Sequence, residues 1–174
     1  MDIVFSHKTA LQICAQLKIN GNEDVFARRT SKDFRATYSA CSDEDYEKKL
    51  RFLKDEYGVV LSQDTHELLR NNSRTRERNS RLFHQFNSKG SLINLGESVY
   101  CVTPALAICL LSRKQKTLHQ IVLTNLLMAT YGHLPNGELC AFSTPLLRKS
   151  ELASMLEALN PFSLDKEKHA LFLL

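Results

Sequence analysis

The chain has 174 residues, 43% hydrophobic and 24% charged, with only six glycines and four prolines, which excludes a disordered or fibrous polymer and allows a domain with a substantial core. Its formal net charge of +4 is carried by twelve residues, Arg70–Arg81, with five arginines and one glutamate, while the other 18 basic and 18 acidic residues balance. No run approaches the roughly 20 apolar residues of a membrane span, and the start, MDIVFSHKTALQ, has an acid at position 2 where a signal peptide has basic residues.

Ile3 to Phe5 predicts a short extended entry ending at Ser6, a good helix cap. Ala10, Leu11, Cys14 and Leu17 then recur at helical spacing, and INGNED closes the helix. Val25 to Cys41 is polar and predicts a loop-rich region with Phe26, Phe34 and Tyr38 as anchors. Ser42-Asp43-Glu44-Asp45 has the form of a capping box. The helix it opens steps through Tyr46, Leu50, Leu53 and Tyr57 and stops at Gly58.

Val59 to Ser62 and Glu67 to Leu69 predict strands, and the arginine segment follows. RLFHQF, LINL and SVYCV predict three more, with Gly96-Glu97 suited to a tight hairpin. Thr103-Pro104 is a cap followed by a first-turn proline, and ALAICLL is apolar all round, as in a buried helix. Thr117 to Tyr131 predicts a helix with Leu118, Ile121, Val122, Leu126 and Ala129 on one face. HLPNGELCAFSTP predicts a turn-rich connection. Ser150 caps a helix lined by Leu152, Met155, Leu156 and Leu159, and Ser163 opens a last short one. These elements predict an α/β (α+β) fold: a small mixed or antiparallel sheet flanked by helices, with a helical C-terminal half. The expected organisation is one domain over 1–162 and a tail over 163–174.

Motifs for chemistry are absent. There is no G-x-S-x-G, no phosphate-cradling glycine loop and no C-x-x-C pair, and the five cysteines are an odd number. The six histidines lie far apart in sequence. His84 reads as a strand residue with a hydrogen-bond partner, and His7 as part of a helix N-terminus. The expectation is therefore no catalytic residue, metal ligand or cofactor, in a reduced, cytoplasmic protein. Arg70, Arg74, Arg76, Arg78 and Arg81 form the one concentrated signal. Guanidinium forks suit phosphate oxygens, but a solvated strand connection carrying charge for solubility has the same composition. The residues alone leave both readings open.

SHKTAL resembles the opening of the core domain in the AbiEi family of antitoxins and regulators. The strand at Glu67–Leu69, the Arg/Ser-rich connection, RLFHQF, NSKG and GESVYCVTPALAICLL are similar, in order, to that family's layout. The resemblance covers roughly residues 2–12 and 66–160. It implies a non-catalytic domain from a toxin–antitoxin or phage-defence system. Relatives join this domain to a winged helix or a restriction-endonuclease-like domain, and neither pattern occurs in these residues. Leu110 departs from relatives that carry a polar residue, often Asp, at that position. The leading expectation is a non-enzymatic regulator contacting nucleic acid, as duplex DNA, through the arginines. The alternatives are a module that neutralises a partner toxin, or the non-catalytic half of a truncated nuclease. Leu171, Phe172 and Leu174, in an apolar C-terminal run, are the expected contact to a partner such as a toxin or nuclease-domain protein, or to a second copy.

Overall fold

The computed structural model describes residues 1–33, 41–61, 64–69, 77–86, 89–112, 117–129, 131–133, 139–141 and 145–158. The chain divides into two compact units, Met1–Thr103 and Pro104–Leu174; the expected boundary at 162/163 lies outside the described residues. Together they give the α/β class, a mixed sheet with helices and a helical C-terminal part.

The first unit is built on seven strands: β1 (Ile3–Phe5), β2 (Arg29–Asp33), β3 (Thr65–Leu69), β4 (Glu77–Arg78), β5 (Arg81–Gln85), β6 (Lys89–Gly96) and β7 (Val99–Val102). Their order is β2-β6-β7-β1-β3-β5-β4. β1 runs parallel to β7, and β3 parallel to β5; the other pairings are antiparallel. Every residue of β1 is buried. That is why Ile-Val-Phe shows no polar alternation: both faces of this central strand are covered.

Helix α1 (His7–Ile19) follows β1 directly and packs on β3 and β7. Helix α2 (Asp43–Tyr57) has the cap its sequence promised. Ser42 Oγ accepts a bond from the Asp45 amide at 3.1 Å, and Gly58 ends the helix at φ 66°. Three acids in its first turn favour the positive end of the helix dipole. The buried stripe is Tyr46, Lys49, Leu53 and Tyr57, so Lys49 takes the place expected of the half-buried Leu50. The Lys49 stem lies under cover while its ammonium donates to Glu97 O at 2.8 Å.

Two expected elements change. Val59–Leu61 is not a strand. The Gln16 amide donates to Val60 O and accepts from Val60 N, both at 2.8 Å, and so does for this backbone what a neighbouring strand would do. The region expected to be loop-rich contains a 3-10 turn at Glu23–Ala27 and strand β2. β2 is a polar sheet edge, so its side chains lack the alternation that marks a half-buried strand. The hairpin near Gly96 is where it was expected, but its turn centres on Glu97 and Ser98, at φ 46° and 59°. Asn79 and Ser80 make a second turn of the same kind between β4 and β5, at φ 47° and 61°.

The second unit contains α3 (Pro104–Ser112), α4 (Thr117–Met128), the antiparallel pair β8 (Tyr131–His133) and β9 (Leu139–Ala141), and α5 (Lys149–Ala158). β9 and the last residue of β8 lie in the connection read as turns, whereas Tyr131 opens β8 and does not belong to the helix expected to reach it, which ends at Met128. α3 packs against α4 and α5 and is buried from Pro104 to Leu110. On α4 the inward face differs from expectation: Thr124 and Leu127 are buried, while Val122 and Leu126 are 50% and 66% exposed. Apolar residues occupy more than one face of this helix, and spacing alone does not say which turns inward. No described helix is long and apolar enough to cross a membrane.

Candidate functional site

Strand β3 organises the chemistry, because its alternate residues point to opposite faces of the sheet. One face carries Glu67. The parallel register sets Thr65 against Arg81 and Glu67 against Phe83, so Glu67 and Arg81 are diagonal neighbours on that face. Arg81 meets Glu67 through two bonds, Nε to Oε1 at 2.7 Å and Nη2 to Oε2 at 3.0 Å. Its Nη1 donates to Cys41 O at 3.2 Å and reaches Asp43 Oδ1 at 3.3 Å. The guanidinium lies 4.2 Å from the centre of the Tyr46 ring. Tyr46 in turn stands beside Phe5 and bonds Thr65 Oγ1 at 2.7 Å, so α2 closes this face.

The Arg81 and Glu67 side chains are 1% and 2% exposed. Burial pushes the Glu67 carboxyl above the usual carboxylate range, and Arg81 draws it back. Burial also works against the Arg81 charge, but the Glu67 carboxylate holds the guanidinium above its usual value. The forked, two-point contact is that of an ionised pair. Burial raises the neighbouring Cys41 thiol and Tyr46 phenol as well.

The opposite face of β3 carries His66. His84 follows on β5, diagonal to it because Leu68 is the partner of His84 in register. His66 Nδ1 and His84 Nε2 are 2.7 Å apart and their rings are within 3° of parallel. His7, the first residue of α1, completes the group. Its ring centre is 3.9 Å from that of His84 and 5.5 Å from that of His66. One ring nitrogen from each of the three lies within 4.8 Å of the others. Three segments far apart in sequence thus deliver imidazoles to one point, and among the described residues these are the side chains that could hold a metal.

Two local features are unusual there. His7 has φ 50°, in the left-handed region that a residue with a Cβ enters at a cost of roughly 1–2 kcal/mol. Ser6 occupies the cap position of α1, yet its hydroxyl makes no capping bond and lies 2.8 Å from His7 Nδ1. The cap residue serves the imidazole instead of the helix.

Of the arginines expected to meet nucleic acid, Arg81 is corrected: it is buried and committed to Glu67, because its position on β5 points inward under α2. Arg78 is half-exposed and pairs with Asp43 at 2.9 Å. Arg70, Arg74 and Arg76 lie outside the described residues, as do Leu171, Phe172 and Leu174. A cleft of about 590 Å³ adjoins the end of this segment, lined by Arg51, Lys54 and Glu47 of α2 and by Asn79 and Ser80 of the turn before β5.

Sequence reasoning missed the histidine cluster because it looked for ligands at short spacing. The signals present were two: a histidine directly after a cap serine, and two strand histidines. Comparison with protein-family models, curated proteins and solved structures finds no match to this chain.

Proposed function

We propose that the chain is a non-enzymatic regulator domain, of the kind its resemblance to AbiEi antitoxins implies, that contacts the phosphate backbone of duplex DNA. The contact is made by Arg70, Arg74 and Arg76, between β3 and β4 in sequence, and by Arg78 of β4, with Arg51 and Lys54 of the cleft beside Asn79 and Ser80 adding charge. The setting is a cytoplasmic toxin–antitoxin or phage-defence system.

One observation carries the reading: the whole net charge of the chain sits in Arg70–Arg81, and within that stretch it is Arg81 whose charge is met by a buried carboxylate. Arg78 is held by a surface pair with Asp43, which a phosphate can replace at little cost because exposed pairs are worth about 0–1 kcal/mol. Binding of this kind is weak, insensitive to base sequence and driven by counterion release.

The test is fluorescence anisotropy with a labelled duplex over a range of salt. Each phosphate contact contributes about 0.9 to the slope of log affinity against log salt. Replacing Arg74, Arg76 and Arg78 with alanine is expected to reduce that slope by up to about 2.7 and to abolish binding at moderate salt. An unchanged slope in the triple variant refutes the assignment.

A further inference from the structure

We propose that His7, His66 and His84 form a binding site for one divalent transition-metal ion, with zinc as the natural occupant. The nucleic-acid reading plays no part in this inference.

Imidazole binds a metal through a ring lone pair at about 2.0–2.1 Å, so two nitrogens on a tetrahedral zinc stand about 3.4 Å apart. The three nitrogens here lie within 4.8 Å of one another, and those of His66 and His84 are at 2.7 Å. Small rotations that part the close pair and draw His7 inward bring all three to bonding distance. His66 and His84 share one proton across their contact. A metal ion takes that proton's place as the donor ring passes to its other tautomer: the proton moves to the second nitrogen of the same imidazole, and both rings bind as neutral ligands. At His7, whose Nδ1 lies 2.8 Å from Ser6 Oγ, the tautomer that donates Nδ1–H to this hydroxyl is the one that presents the Nε2 lone pair. An outer oxygen orients ligand histidines in the same way in known metal sites.

The scaffold holds the three segments in place. The Ser6 amide donates to His66 O at 2.8 Å, and the His66 amide donates to Thr9 Oγ1 at 2.9 Å. His7 is 6% exposed despite its left-handed backbone. Strain of this kind persists where the surroundings over-determine it, and it clusters at functional sites. The ligand set is nitrogen only, which selects zinc, cobalt, nickel or copper over magnesium and calcium. Three protein ligands leave the fourth position of zinc to water or to a donor from a partner.

The test uses the full chain, stripped of metal and titrated with Zn²⁺, Co²⁺ and Mg²⁺. One equivalent of Zn²⁺ is expected to bind. At a hundredfold excess over Kd it should raise the melting midpoint by about 5–10 °C, with no response to Mg²⁺. Co²⁺ should give visible d–d bands without the near-ultraviolet band of a thiolate ligand. His66→Gln and His84→Gln should each weaken binding by more than about 100-fold, beyond the loss of an outer hydrogen bond. Absence of a shift and of cobalt bands in the wild type overturns the proposal. So does a thiolate band, which would move the metal to the cysteines, or binding that survives both variants. Should a variant fail to fold, ring-nitrogen NMR of the wild type decides: zinc must shift three histidines, and unchanged signals overturn the site.

Discussion

The two faces of β3 solve the problem of buried polarity in opposite ways. On the Glu67 face, the carboxylate meets a guanidinium that is held by two oxygens of Glu67, by the carbonyl of Cys41 and by Asp43. Opposite charges meet and the arrangement is closed. On the His66 face, three like groups, the imidazoles of His7, His66 and His84, gather within reach of one another. A fold can gather like groups for a ligand or tolerate them as a neutral hydrogen-bonded stack. The first face teaches what a purely structural polar cluster looks like in this protein, and the second departs from it.

The largest expected effect comes from opening the closed face. Arg81→Met leaves Glu67 buried without a partner and should cost about 3–5 kcal/mol in chemical denaturation. Adding Glu67→Leu should restore most of that loss, because a well-packed apolar pair replaces a buried ion pair at little or no cost. Failure of the double variant to recover would mean that the bonds to Cys41 and Asp43, not the charge balance, dominate this face.

The imidazole face should respond less. In metal-free protein, His84→Leu removes one imidazole hydrogen bond from a half-buried site and should cost about 1 kcal/mol in the same measurement. A loss as large as that of Arg81→Met would make the cluster a structural keystone and would erase the contrast between the faces.

The smallest effect sharpens the comparison from outside the core. Arg78 and Arg81 both reach Asp43, but their side chains are 47% and 1% exposed. Arg78→Ala should change stability by no more than about 0.5 kcal/mol by thermal or chemical denaturation. A cost several times larger would tie the turn at Asn79 and Ser80 into the folding core.

Much of the frame was legible in the chain itself. The capping box at Ser42, the stop at Gly58, the strands after the arginines and the buried helix after Pro104 follow from local chemistry: a side chain that can accept an amide bond, a residue free to turn left-handed, a run with no polar face. Such rules act within a turn or two, so a short window contains them. β2 and the Val59 segment were not legible, because their hydrogen bonds are made to β6 and to Gln16, remote in sequence. Neither was the role of each arginine. Arg78 and Arg81 are identical letters three places apart and face each other in register, but Arg81 is on β5 beside Glu67 of β3 while Arg78 is one strand further out, on the edge strand β4. The same register brings His66 beside His84, and the β1–α1 junction adds His7. Composition decided how much charge and how many imidazoles the protein has. Only strand pairing, a contact between distant segments, decided which of them meet.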